Sequence, residues 1–473
     1  MTTYKTPGVK VQEISRLPFS VSQVKTSVPG FVGYTEFDQL EPIKISSMAE
    51  FEHYFGGPAP FNGGQLAGLG VSISTASGVT TVTNSAPLTA NHINTMKLYF
   101  SMQLYFMNGG GPCWVVSTGP QVNTPSSGAL IAGLDKLATL DEVTIIAVPD
   151  ATALNNSTNT TAVYQHALGI CNRLGDRMLL VDPVAFNNPV AGNDDSAIRG
   201  TVGQANLSYG AAYYPFLETT LPFPDRYVSI TTHAGAGGGP DLSSYDNLES
   251  LRADIPTIPA LAAFMAEFSN KLDAAIKTHT IPVPPSGAIA GIYCANDRNR
   301  GVWKAPANVS LRGIAQPTVR MNDALQGPFN KDDSDPRSIN VIRDFTGKGT
   351  LVWGARTLNG DSPEWRYVPV QRLYMTVEKS LRMALAPVMF QPNDAITWAR
   401  VKGMIENYLS GLWRQGALLG GTEQEAFFVK LGVGVTMTPA EAASGLLKIE
   451  IGMAAVRPAE FIILKFSHLL QQV

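Results

Sequence analysis

Four residues along the first half of this chain could do hydrolytic chemistry: Asp150, His166, Asp182 and His233. With one of the many serines they could supply the nucleophile, base and orienting acid of a triad, which is recognised by geometry rather than by order in the chain. The strained Gly-x-Ser-x-Gly turn that exposes such a serine in α/β hydrolases does not occur. Gly347-Lys-Gly-Thr350 carries a lysine among glycines but lacks the upstream glycine of a phosphate-binding loop. Gly235-Ala-Gly-Gly-Gly239 reads as a flexible loop rather than a phosphate cradle. The six histidines are scattered without HxH or HExxH spacing, so neither a metal nor another cofactor is expected. Asp297, Arg298 and Arg300 invite an active-site reading, but an ion-pair cluster fixing the loop before Trp303 is the expectation. Cys113, Cys171 and Cys294 are odd in number and far apart, as buried reduced thiols would be.

The elements that must position these residues alternate. Val28–Thr35, Cys113–Val116, Val143–Asp150, Met178–Asp182 and Tyr227–Thr232 are β-prone, and most are continuous apolar runs. Helical patterns cover 48–55, 93–107, 130–140, 162–174 and 258–277, with Ser46 or Ser47 capping the first. Apolar strands between helices predict a parallel sheet covered on both faces. Residues 56–92 are rich in Gly, Ser and Thr and nearly uncharged, and predict an inserted loop or hairpin. Residues 328–340 are polar and turn-rich, a plausible boundary, and Val341–Phe345 with Thr350–Trp353 reads as a hairpin around Gly347 and Gly349. Beyond it the rhythm changes. Tyr374–Leu385 and Asp394–Gln415 read as helices, the second with Trp398, Val401, Ile405, Leu409 and Leu412 on one face. Ala426–Leu431 and Leu446–Ile451 read as strands, and Thr438-Pro-Ala-Glu441 as a helix start.

The 473 residues carry 44% apolar and only 15% charged residues, so much neutral surface must be placed, and subunit interfaces are one place for it. The formal charge of −3 gives no support for nucleic-acid binding. No secretion signal and no membrane-spanning run is read; folding in a cytoplasm is expected, and a product that works outside the cell must leave in bulk. The two ends stand out. Val9 and Val11 alternate with polar neighbours up to Glu13, and Phe461, Ile463 and Lys465 lie in an apolar, β-prone tail. Unpaired strand edges at both ends predict subunits joined by strand exchange.

Several segments, in order, carry a resemblance. Tyr4-x-x-Pro7-Gly8-Val9-x-Val11-x-Glu13 opens the chain. Gly109-Gly-Gly-Pro-Cys-Trp-Val-Val116 follows, then Pro284-Pro-Ser-Gly-Ala-Ile-Ala-Gly-Ile-Tyr293 and Asn296-Asp-Arg-Asn-Arg-Gly-Val-Trp-Lys-Ala-Pro-Ala-Asn308. Next come Asn340-Val-Ile-Arg-Asp-Phe345, Trp353-Gly-Ala-Arg-Thr-Leu358, Trp365-Arg-Tyr-Val-Pro-Val370 and Phe390-Gln-Pro-Asn-Asp394. Gly416-Ala-Leu-Leu-Gly-Gly-Thr422, Ala426-Phe-Phe-Val-Lys430 and Pro458-Ala-Glu-Phe461 close the series.

Together they resemble the sheath protein of contractile phage tails, R-type pyocins and extracellular contractile injection particles. The resemblance implies α/β and α+β parts. An inner α+β domain is formed by both chain ends (1–27 and 336–473), and a larger α/β domain (28–335), with a subtilisin-like sheet but no catalytic triad, is inserted outward. It implies stacked hexameric rings around an inner tube, contraction that drives the tube through an envelope, and baseplate and terminal cap partners. Nucleic acid and membrane insertion have no place in it. Lys379 and Arg382 share a helix face and are the candidate tube contacts, with Arg400 and Lys402 as the fallback. An α/β hydrolase whose ends dock on itself is the alternative.

Overall fold

The computed structural model describes residues 20–39, 41–58, 69–76, 79–84, 97–120, 125–154, 156–184, 194–222, 224, 228–232, 245, 247–257, 262, 269–270, 280–330 and 335–461. Among these the chain divides into a larger unit, residues 25–376 with 457–461, and a smaller one, residues 20–24 with 377–456.

The larger unit is built on a nine-stranded sheet. Its chain order begins β1 (Pro29–Thr35), β2 (Ile43–Ile45), α1 (Met48–Phe55), β3 (Leu69–Ala76), β4 (Val79–Asn84), α2 (Leu98–Met107), β5 (Cys113–Pro120) and α3 (Ser127–Ala138). It continues β6 (Ile145–Ala147), α4 (Ser157–Leu174), β7 (Met178–Val181), α5 (Asp194–Val202), β8 (Gly210–Tyr214), β9 (Leu217–Thr219), β10 (Val228–Thr232), α6 (Leu248–Asp254) and β11 (Ile281–Val283). Then follow α7 (Ser286–Arg300), β12 (Val309–Ser310), β13 (Ile314–Pro317), α8 (Asp323–Asn330), β14 (Ile339–Phe345) and β15 (Gly349–Trp353). The sheet order is β12-β15-β14-β8-β7-β6-β1-β5-β2. From β14 to β5 every neighbour is parallel, and the edges β12, β15 and β2 pair antiparallel.

The apolar strand runs work as a doubly covered sheet requires. Phe31, Val115, Ile145, Met178, Leu180 and Tyr213 face one core with α2 and α7. Val32, Val116, Ile146, Leu179, Val181 and Tyr214 face the other with α3, α4 and α5. Successive side chains point to opposite faces, so both must be apolar. Helices α2 and α7 approach closely because α7 presents glycines. A Cβ on Gly287 would stand 2.2 Å from the Ser101 carbonyl oxygen, and one on Gly291 2.5 Å from that of Tyr105.

Several expected elements start or end elsewhere. Ser47, not Ser46, caps α1 by accepting from the Glu50 amide at 3.2 Å. Helix α4 begins at Ser157 because Asn156 caps it, ahead of the first apolar residue of the pattern. Within 56–92 the described residues after Pro58 form a hairpin, β3 with β4, to which β10 adds in parallel. The expected helix over 258–277 falls almost wholly outside the described residues. The β14–β15 hairpin forms as expected, turning through Gly347 and Gly349 at φ 77° and 75°. It pairs with β8, however, so the division between units falls at Thr376/Val377 and not at 335/336.

The smaller unit contains the C-terminal part of α9 (Val368–Leu385), then α10 (Ala395–Arg414), α11 (Glu423–Ala426), β16 (Phe427–Leu431), α12 (Pro439–Ala443) and β17 (Ile449–Met453). Helix α10 starts where Asp394 caps it and buries Val401, Ile405, Leu409 and Leu412, the anticipated face, while Trp398 is half-buried. The expected start of α12 is a full capping box between Thr438 and Glu441. Residues 457–461 belong to the larger unit, so the tail leaves from there and not from the unit that precedes it in sequence.

Candidate assembly surface

Of the residues that could have formed a triad, Asp150, His166 and Asp182 are described, and each is bonded to other groups. Asp150 is fully buried and receives the amides of Tyr34 (2.7 Å), Leu98 (3.0 Å) and Lys97, so it anchors β1 to the start of α2. Burial pushes its carboxyl up to about 6 against the three backbone hydrogen bonds, and pushes the buried Lys97 ammonium down to about 8. Asp182 accepts the Ser286 amide at 2.8 Å at the start of α7, and burial raises it to about 7. Both acids sit where the helix dipole favours negative charge. His166 lies on exposed helix surface 2.7 Å from Asp135. His233 lies outside the described residues, as does Gly235–Gly239. The three cysteines are buried and free, with burial raising Cys113, Cys171 and Cys294 alike.

Asp297 does form an ion pair, but with Arg372 on α9 and not with Arg298 or Arg300. The pair is bidentate, at 2.9 and 2.6 Å, with both side chains 2% exposed. Arg298 instead reaches the Gly109 carbonyl at 3.4 Å. Gly347 and Gly349 form the tip of a hairpin, so the lysine between them belongs to an exposed turn. No group of three metal-ligating side chains converges among the described residues.

The smaller unit has a different character. Strands β16 and β17 pair with each other and, among the described residues, with no third strand. Phe427 and Val429 turn inward. On the outer face Lys430 lies 3.4 Å from Glu450 and 4.6 Å from the Phe428 ring centroid, and that ring covers Gly452. Of fourteen exposed large apolar side chains among the described residues, nine belong to this unit: Met383, Met389, Phe390, Ile396, Leu419, Phe428, Val433, Val435 and Leu446. Phe390 is fully exposed at φ +68°, a conformation that costs a bulky residue energy. Such a surface, with open strand edges, is suited to contact with other chains.

The anticipated cations lie on this unit. Arg382 is exposed one turn from Glu378, whose carboxyl is raised by burial with Arg382 opposing. Lys379 is half-buried. Arg400 is exposed on α10, and Lys402 pairs loosely with Glu406 at 3.7 Å. From 377 to 456 there are seven Lys/Arg and seven Asp/Glu, so recognition by charge there must be local. Of the expected arm residues only Phe461 is described, and it is 72% exposed; Val9, Val11, Glu13, Ile463 and Lys465 lie outside the described residues. Sequence reasoning passed over Arg356 and Glu460, although both stand inside quoted segments, Trp353–Leu358 and Pro458–Phe461.

Comparison with known proteins agrees with this geometry. Residues 360–467 match the family of the phage tail sheath C-terminal domain. The tail sheath protein of Vibrio phage KVP40 is 25% identical over 139 residues, and a putative prophage major tail sheath protein of Pseudomonas aeruginosa strain UCBPP-PA14 is 28% identical over 139. These stretches cover 29% of this chain and span 20% and 35% of the two relatives' own lengths. Solved structures align from end to end. The sheath of the PVC extracellular contractile injection system, in its contracted state, is 30% identical with a TM-score of 0.66, covering 99% of this chain and 98% of that one. The contracted helical sheath of the anti-feeding prophage is 32% identical with a TM-score of 0.63, covering 98% and 99%. Its relatives are structural proteins and not hydrolases, and the end-to-end likeness is to contractile sheaths: the chain belongs to the contractile tail sheath family.

Proposed function

We propose that the chain polymerises as stacked hexameric rings around an inner tube and contracts to drive that tube through a target envelope. The smaller unit is the tube-facing one. The observation that carries this reading is the two-stranded β16–β17 sheet, whose outer edges accept no third strand among the described residues. Terminal strands of adjacent copies complete it, since main-chain hydrogen bonds along an edge hold while linkers flex. Relatives solved as contracted sheaths and in a baseplate assembly support both the polymer and a baseplate partner. Contraction needs no nucleotide if the extended lattice is metastable, because a small gain per subunit sums over the lattice. Arg382, which is exposed, and the half-buried Lys379 grip the tube through charge pairs at the surface, each worth about 0–1 kcal/mol and so easily released. Assembly takes place in the bacterial cytoplasm and the particle is then released.

The test is deletion of residues 1–14, and separately of 462–473, followed by negative-stain imaging of protein expressed with its tube. Each deletion should abolish long sheaths while leaving the larger unit folded. Sheaths of normal length that shorten normally would overturn the reading.

A further inference from the structure

The chain passes between its two units three times, at 24/25, 376/377 and 456/457. On the large-unit side each crossing ends at a buried arginine. Arg372, on α9 just before the second crossing, pairs with Asp297 and donates to the Thr26 carbonyl at 3.0 Å, just after the first. Its guanidinium also stacks 4.7 Å over the Tyr293 ring, whose hydroxyl meets that of Tyr213 on β8 at 2.7 Å. Just after the third crossing, Glu460 is held by Arg356, whose Nε lies 2.8 and 3.1 Å and whose Nη2 lies 2.6 Å from the carboxylate oxygens.

This second grip is built to hold. Tyr367 Oη and Asn330 Nδ2 also reach the Glu460 carboxylate, at 3.1 and 3.3 Å. Arg356 is 4% exposed, and its third nitrogen donates to the Asn330 carbonyl at 3.2 Å. Its backbone amide donates to Asn340 Oδ1 at 2.7 Å, and Asn340 donates in turn to the Ala212 carbonyl of β8 at 3.1 Å. The tail is thereby tied into the parallel sheet itself. A 510 Å³ cleft lined by Ala307, Trp353, Tyr367 and Phe461 lies beside the grip. Forked, charge-assisted hydrogen bonds to a partly buried carboxylate are among the strongest polar contacts a protein makes, and opening one leaves a buried guanidinium unpaired.

We propose that Arg356 and Arg372 are positioning residues that fix the large-unit end of every crossing, so that the C-terminal tail exchanges between copies only beyond Phe461. The inference rests on the sheath reading and adds the point at which the exchanged arm begins. It also means that force along the arm enters the nine-stranded sheet through the Arg356–Glu460 grip.

The experiment is electron–electron distance measurement between spin labels on Ala459→Cys and Lys348→Cys, both exposed positions of the larger unit; the three native cysteines are buried. Labelled full-length chain is measured alone, and diluted into unlabelled extended and contracted sheaths. A single narrow distance unchanged among the three states is expected. It should be lost in Arg356→Met and, independently, in Glu460→Gln, which leaves the sheet core untouched. A distance that shifts on assembly or contraction, or that stays narrow in both variants, would overturn the inference. If the chain never polymerises with its tube the sheath reading falls, and the two variants of the isolated subunit still decide whether the grip exists.

Discussion

Carboxylates cap helices in both units, and their protons behave in opposite ways. In the larger unit Asp150 and Asp182 cap α2 and α7 from inside the core, and burial raises their pKa values to about 6 and about 7. In the smaller unit Asp394 and Glu441 cap α10 and α12 at the surface, where hydrogen bonds from the Thr397 and Thr438 amides lower them. Carboxylate-to-amide capping is buried and long-range in one unit, and local and left in water in the other. Among the described residues apolar side chains divide likewise: five large ones are exposed on the larger unit and nine on the much smaller one. Among the described residues one unit keeps most of its apolar side chains inside, and the other turns a larger share of them to solvent.

The contrast can be broken most severely at the α2–α7 contact. Gly287→Val would drive a side chain into the Ser101 backbone, which cannot yield as a flexible side chain can. We expect a loss of about 3 kcal/mol or more, read by denaturant unfolding. A loss comparable to that of a surface substitution would show that the closed core is looser than its geometry.

A finer test uses pH. A carboxyl raised to about 7 in the folded chain, against about 3.9 unfolded, favours folding when protonated. Its contribution is present below about pH 4 and is lost as pH rises through about 7. Asp182→Asn still accepts the Ser286 amide but cannot ionise. It should therefore gain stability relative to the parent as pH rises from 4 to 8, measured as the difference in melting temperature. Asp394→Asn should show the reverse sign, since a lowered carboxyl stabilises above its unfolded pKa and that support is lost as pH falls. Identical pH profiles for the two variants would remove the distinction between the units.

The smallest effect on folding is expected from reversing the candidate tube contacts, Lys379→Glu with Arg382→Glu. The exposed end of α9 should tolerate the change within about 0.5 kcal/mol, while extended particles should lose their tube in negative-stain images. Tube-filled extended particles from the double variant would remove these residues from the interface.

Much of the fold was legible because it is local. Phe31, Val32, Ile145 and Ile146 belong to strands apolar on both faces, and that pattern alone predicts a parallel sheet between helix layers. The face of α10 and the Thr438–Glu441 box are fixed within a turn or two of helix. Helix α7 gave no such signal: Ser286–Cys294 are buried without a break and largely small, so no apolar period marks it. The boundary between the units was misplaced because a polar, turn-rich stretch at 328–340 does not reveal that β14, just after it, will pair with β8.

The sequence by itself determined the main apolar strands, several of the helices and their capped starts, and the series of segments that marks a sheath protein, since each depends on neighbours along the chain. Only the tertiary structure decided which acids would be buried and which would stay in water, because desolvation depends on what packs around a group. It alone brought Glu460 to Arg356 across 104 residues. Pairing at that separation is governed by how the sheet closes, and no residue spacing encodes it.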